Sequence, residues 1–153
     1  MRSEVVDTDL LLIKAGNVRK YLKRAREKCD HDPAAFLSNR DHQDIVCFNL
    51  QMAIQNCIDI AAHVMSDQGT SVPGSVNEMF YFLEENGLVP SELIERMVKA
   101  VGFRNLLVHE YGKLDLKEVF EIAHHHSNDL DQFLLSLFEK LGMVGPDVES
   151  GEI

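Results

Sequence analysis

An arginine, an asparagine, a histidine and a tyrosine fall within eight consecutive positions, as Arg104, Asn105, His109 and Tyr111. Together they suit the breaking of a phosphodiester. RNA carries its own nucleophile in the 2′-hydroxyl, so its cleavage without a metal needs a proton carrier and a cation on the phosphate. Histidine fits the first role because imidazole titrates near neutrality. Arginine fits the second because its planar fork grips two phosphate oxygens and stays charged. Asn105 would orient either group, and Tyr111 would contact phosphate or base.

An apolar-periodic segment from Leu93 must position these side chains. On one helix, Leu93, Met97, Ala100, Arg104, Leu107 and Tyr111 form a stripe, and Ile94, Val98, Val101, Asn105 and Val108 form its neighbour. Arg104 and Asn105 thus occupy positions patterned for the core. A buried guanidinium needs a partner or a task. His109 lies about 140° around the helix from Arg104. The two meet only if the helix breaks near His109 or a second copy of the chain supplies the missing side. Gly112 and a cap at Asp115 place a break at 110–114.

Arg104-x4-His109-x-Tyr111, closing a helix in a small α protein, resembles the HEPN-type ribonucleases, and within them the HepT toxins. The resemblance extends over roughly 9–141 and includes Leu50-Gln51-Met52-Ala53-Ile54-Gln55 and Ile58-Asp59-Ile60-Ala61. It implies an all-α, antiparallel HEPN-like bundle that works as a two-fold homodimer, joining two Arg104/His109 pairs in one cleft. It also implies a toxin–antitoxin pair of the type VII kind, with an MntA-like minimal nucleotidyltransferase as antitoxin. In that family the tyrosine matching Tyr111 receives AMP from the antitoxin. An attached anion two residues from His109 would block the cleft by size and charge.

The other long apolar segment runs from Asp41 to about Asp67 and is apolar nearly all round, which marks a central helix. Asn49, Asn56, Asp59 and His63 interrupt it on one stripe. A buried carboxylate among amides and an imidazole must be paired. Arg104 is the natural partner for Asp59, with Asn56 and His63 in support. A polar network that merely fixes helix register is the plainer reading of the same stripe.

The remaining elements follow from caps. Asp7 or Thr8 opens a first helix ending near Cys29, a short turn follows at 33–37, and Ser75 opens a helix that stops at Gly87. Ser91 caps the motif helix, and Asp115 opens one long last helix ending at Gly142. Residues 1–6 read as a loose start, 69–74 as a loop, and 143–153 as a disordered acidic tail after a single domain over 1–142.

Net charge is −10, against broad nucleic-acid affinity. Yet residues 1–28 hold eight Lys and Arg against four acids, +4, leaving −14 elsewhere. Lys20, Lys23 and Arg24 on that first helix are the candidate RNA contacts, or simply a solvated face. No stretch approaches a membrane span, no basic-then-apolar leader opens the chain, and the three cysteines lack zinc spacing. A reduced cytoplasm, without cofactor or metal, fits best. His124, His125 and His126 point in different directions on a helix and do not converge on one ion. The rival reading is a non-catalytic helical module that binds a nucleotidyltransferase or nucleotide, with Arg104 structural. The acidic balance and missing Trp favour it.

Overall fold

The computed structural model describes residues 7–68 and 74–143, and among them the regular structure is entirely helical. The expected loose start and acidic tail, and most of the 69–74 loop, lie outside the described residues. The helices are α1 (Thr8–Lys28), α2 (Pro33–Leu37), α3 (Arg40–Asp67), α4 (Val76–Glu85), α5 (Ser91–His109), α6 (Leu116–Glu121) and α7 (Asn128–Lys140). A 3₁₀ turn, Tyr111–Lys113, follows α5, and a π turn, Ile122–His126, joins α6 to α7.

The bundle is organised around α3, as its apolar circumference requires. Val46, Leu50, Ala53, Ile54, Cys57, Ile60, Ala61 and Val64 are all buried. By length and hydropathy α3 could cross a membrane (its most apolar window averages 1.3), which corrects the expectation that no such stretch exists. Here that surface is covered instead by the other helices, with α1 the most extensive neighbour. The two run antiparallel, because Lys14 meets Asp59, Asn17 meets Asn56, and Tyr21 packs edge-on against Phe48. At the far side, Phe80 and Phe133 stack edge-to-face, tying α4 to α7.

Local chemistry sets the helix ends. Asp7 accepts from the Leu10 N–H and Asn39 from the His42 N–H. Ser75 accepts from Glu78 N–H, but the Glu78 carboxylate reaches Gly74 N–H, one residue outside the expected box. Pro90, not Ser91, is the cap of α5. Its extended backbone leaves the carbonyl free for the Leu93 and Ile94 N–H groups, and Ser91 becomes the first helical residue. Gly87 and Gly142 both adopt positive φ, and the residue after each bonds back to Leu83 or Phe138, closing the helix.

The last helix is not continuous. Ser127 donates its hydroxyl to Ala123 O and accepts from Arg26 Nε, while His124 Nε2 lies 2.9 Å from Asp30 O. These ties to α1 and the turn after it accompany the wider π turn, a feature that apolar periodicity alone does not reveal.

Candidate functional site

The site is built on the last turn of α5. The helix runs unbroken through His109, then Glu110 leaves helical geometry (φ −141°, ψ 46°) while its N–H still bonds Leu106 O. The chain breaks where the sequence placed it, but one residue too late to swing His109 toward Arg104. On a continuous helix the two side chains leave about 140° apart. Arg104 is half-buried beside Leu107 and Val101, whereas His109 and Asn105 are exposed. Arg104 Nε is buried and has no hydrogen-bond partner among the described residues. Buried polar atoms in folded chains are nearly always paired, so this N–H is free to serve a group from outside the described residues.

Asp59 is not its partner. It bonds Lys14 Nζ at 3.0 Å and Gln55 Nε2 at 3.0 Å, because α1, not α5, covers that face of α3. Asn56 donates to Met52 O and accepts from Asn17, and Asn49 donates to Ile45 O. His63 is exposed. The polar stripe therefore splits. Asn56 and Asp59 fix the register of α1 on α3, and none of Asn56, Asp59 and His63 supports Arg104. The Lys14–Asp59 pair is about a third exposed, so its worth is well under the kcal/mol scale of buried pairs. Asp59→Asn is expected to leave RNA cleavage unchanged and to shift Tm by only a degree or two. A melting curve and a cleavage assay check this.

Tyr111 begins the 3₁₀ turn and is 44% exposed. Its hydroxyl donates to Asp44 Oδ1 on α3 at 2.6 Å. Partial burial and this carboxylate push the phenol well above the ordinary tyrosine range, and the Cys47 thiol lies against it. Burial holds Cys47 itself up at about 11. The sequence gives no signal for Asp44, which looks like any acid near the start of a helix. Around Gly112 a side chain would meet open space.

Two exposed apolar side chains were also not anticipated. Phe48, 55% exposed, lies one turn beyond Asp44 on α3, and Val108, 45% exposed, precedes His109. Lys20, Lys23 and Arg24 are exposed on α1 as expected. Lys20 sits over the Tyr21 ring, Tyr21 packs on Phe48, and Lys23 pairs loosely with Glu27. The basic face thus borders the surface that carries Tyr111.

The three histidines diverge. His124 turns in against Phe120 and His31, and His125 turns out toward Glu121. His125 and His126 line a groove of about 870 Å³ with Arg96, Lys99 and Leu106, and neither Arg104 nor His109 lines it. A site made from the surfaces of two copies need not be a cavity in one, so the motif, not the groove, is the better guide here.

A helical bundle that holds, in the last turns of one helix, an arginine whose Nε has no partner among the described residues and an exposed histidine five residues on has the architecture of a HEPN nuclease. Residues 18–137 match the family described as Ribonuclease HepT-like, and the chain belongs to that family. It is 33% identical over 126 residues to the mRNA nuclease HepT of Shewanella oneidensis, covering 82% of this chain and 94% of that protein. It is 31% identical over 116 residues to the tRNA nuclease HepT of Aphanizomenon flos-aquae, covering 76% of each. Among solved structures, the tri-AMPylated Shewanella oneidensis HEPN toxin in complex with MNT antitoxin is 32% identical, with a TM-score of 0.79 over 86% of this chain and 98% of that one. The cytosolic YutE of Bacillus subtilis, 17% identical with a TM-score of 0.75, shares the fold.

Proposed function

We propose that this chain is the toxin of a toxin–antitoxin pair, a metal-independent endoribonuclease silenced by transfer of AMP to Tyr111. The observation that carries the reading is Arg104, whose buried Nε lacks a partner among the described residues of a chain in a ribonuclease family. Its guanidinium binds the scissile phosphate and His109 moves the proton of the 2′-hydroxyl. Asn105, exposed next to Arg104 in the helix, orients one of these two groups. Lys20, Lys23 and Arg24 hold the RNA backbone further along. The modifying partner is an MntA-like nucleotidyltransferase, supported by the AMPylated relative bound to its MNT antitoxin. The place of work is the cytoplasm, which suits three free, buried thiols.

The working unit in this reading is a two-fold homodimer. The one motif histidine of each chain serves either as acid or as base, and a two-fold axis beside α5 supplies the second. Phe48 and Val108 are exposed apolar groups suited to such a contact. Light scattering at micromolar concentration is expected to give twice the chain mass, and Val108→Glu to shift it toward monomer. A monomer in the wild type rules out this arrangement.

The direct test is purified protein with RNA in the presence of chelator. Cleavage leaving cyclic phosphate ends is expected. Intact RNA after incubation with a properly folded dimer would refute the proposal.

A further inference from the structure

We infer that Asp44 is the residue that holds the Tyr111 hydroxyl for nucleotidyl transfer and takes its proton as the new phosphoester forms. This rests on the reading of Tyr111 as the modified residue and adds the chemistry by which this chain takes part in its own silencing.

A tyrosine hydroxyl is a weak nucleophile at neutral pH, since its ordinary pKa is about 10. It attacks phosphorus readily only if its proton has somewhere to go as the bond is made. The Oδ1 of Asp44 stands 2.6 Å from that oxygen, in the range of a short charge-assisted hydrogen bond. Tyr111 is nonetheless 44% exposed, so part of the side chain can be approached from solvent. The groups facing the phenol are few. From α3 they are Asp44 and Cys47, and burial keeps the Cys47 thiol protonated at neutral pH, which removes it as a base. From its own turn, Glu110 is engaged by Lys113 Nζ at 3.3 Å. From α1, no charged group is bonded to the phenol or to Asp44 among the described residues. Asp44 alone both touches the hydroxyl and has a lone pair for its proton.

The step balances as a group transfer. The phenolic oxygen attacks the α-phosphorus of a nucleoside triphosphate held by the partner enzyme. The bond from that phosphorus to the bridging oxygen breaks, and pyrophosphate leaves with the electron pair. The phenolic proton passes to Asp44 Oδ1 and from there to water.

Asparagine at this position can still accept the hydrogen bond through its own Oδ1 but cannot take the proton, so Asp44→Asn separates holding from proton transfer. The experiment combines the chain with its MntA-like nucleotidyltransferase, ATP and Mg²⁺, and follows the mass gained on Tyr111. At pH 7 we expect Asp44→Asn to be modified at least about tenfold more slowly than wild type, and Asp44→Glu to recover most of the rate. Between pH 7 and 9 the Asp44→Asn rate should climb about tenfold per unit, as solvent base takes over, while wild type stays nearly level. RNA cleavage by unmodified Asp44→Asn should match wild type, which also shows that the variant folds. Equal rates for Asp44→Asn and wild type, or parallel pH profiles, overturn the role of Asp44 and leave the modified tyrosine standing. Wild type gaining no mass at Tyr111 overturns both.

Discussion

Arg104→Ala should lose RNA cleavage by about 10²- to 10³-fold, the usual effect of removing one donor from a charge-stabilising site, while its Tm stays at or slightly above that of wild type. The two halves of this expectation have one cause. Arg104 forms no ion pair among the described residues and its Nε is buried without an acceptor. Removing it strands no partner among the described residues, and it takes away a buried N–H that no acceptor among them satisfies. A structural arginine would behave in the opposite way, because breaking a buried pair costs several kcal/mol. Arg104→Lys keeps the charge but loses the two-pronged grip, and should fall nearly as far. His109→Ala should lose about 10²- to 10⁴-fold as a proton carrier is removed. It too should leave stability alone, since His109 is exposed. Single-turnover cleavage read beside a melting curve decides. A sharp fall in Tm for Arg104→Ala, or cleavage at the wild-type rate, would assign the residue to the fold.

Tyr111→Phe should cut RNA like wild type yet resist its nucleotidyltransferase completely, in a growth assay with the partner co-expressed. The hydroxyl is the only atom removed. It takes with it one hydrogen bond to the Asp44 carboxylate, a loss of about 1.5–3 kcal/mol at most for a bond to a charged group, too little to unfold the chain. A phenol raised above its ordinary range is a poor proton shuttle at neutral pH, so cleavage should not depend on it. Silencing should, because an AMP placed there brings a negative charge beside Glu110 and close to His109, where an RNA backbone must pass. Loss of cleavage in a folded Tyr111→Phe protein would move the tyrosine into the active site. Full neutralisation of that variant by the partner would mean inhibition by binding alone.

What could be read from the sequence is what one helix decides by itself. The all-apolar circumference of α3 announced a central helix, and glycines at positive φ marked the ends of α4 and α7. The break after His109 was legible from Gly112 and Asp115. Pairings across helices were not. Asp59 needed a cation, and both Lys14 and Arg104 were eligible. The choice fell to whichever helix lies along that face of α3, and periodicity within a helix carries no information on its neighbours. Asp44 escaped notice for the same reason, since its role exists only because the turn after α5 folds back onto α3. The cap of α5 was misplaced by one residue because a serine there is attractive in isolation, while the extended backbone of Pro90 already supplies what the first turn needs.

The π turn between α6 and α7 lies within one continuous core stripe. Val119, Ala123, Ser127, Leu130, Leu134 and Leu137 are buried at intervals of three or four residues, the period of a single helix. A residue added to an ordinary helix rotates all later side chains by about 100°, whereas a wide turn takes up one residue locally. Ile122–His126 is therefore the stretch where this part of the chain tolerates a change in length by one residue with Phe133 and Phe138 still facing inward.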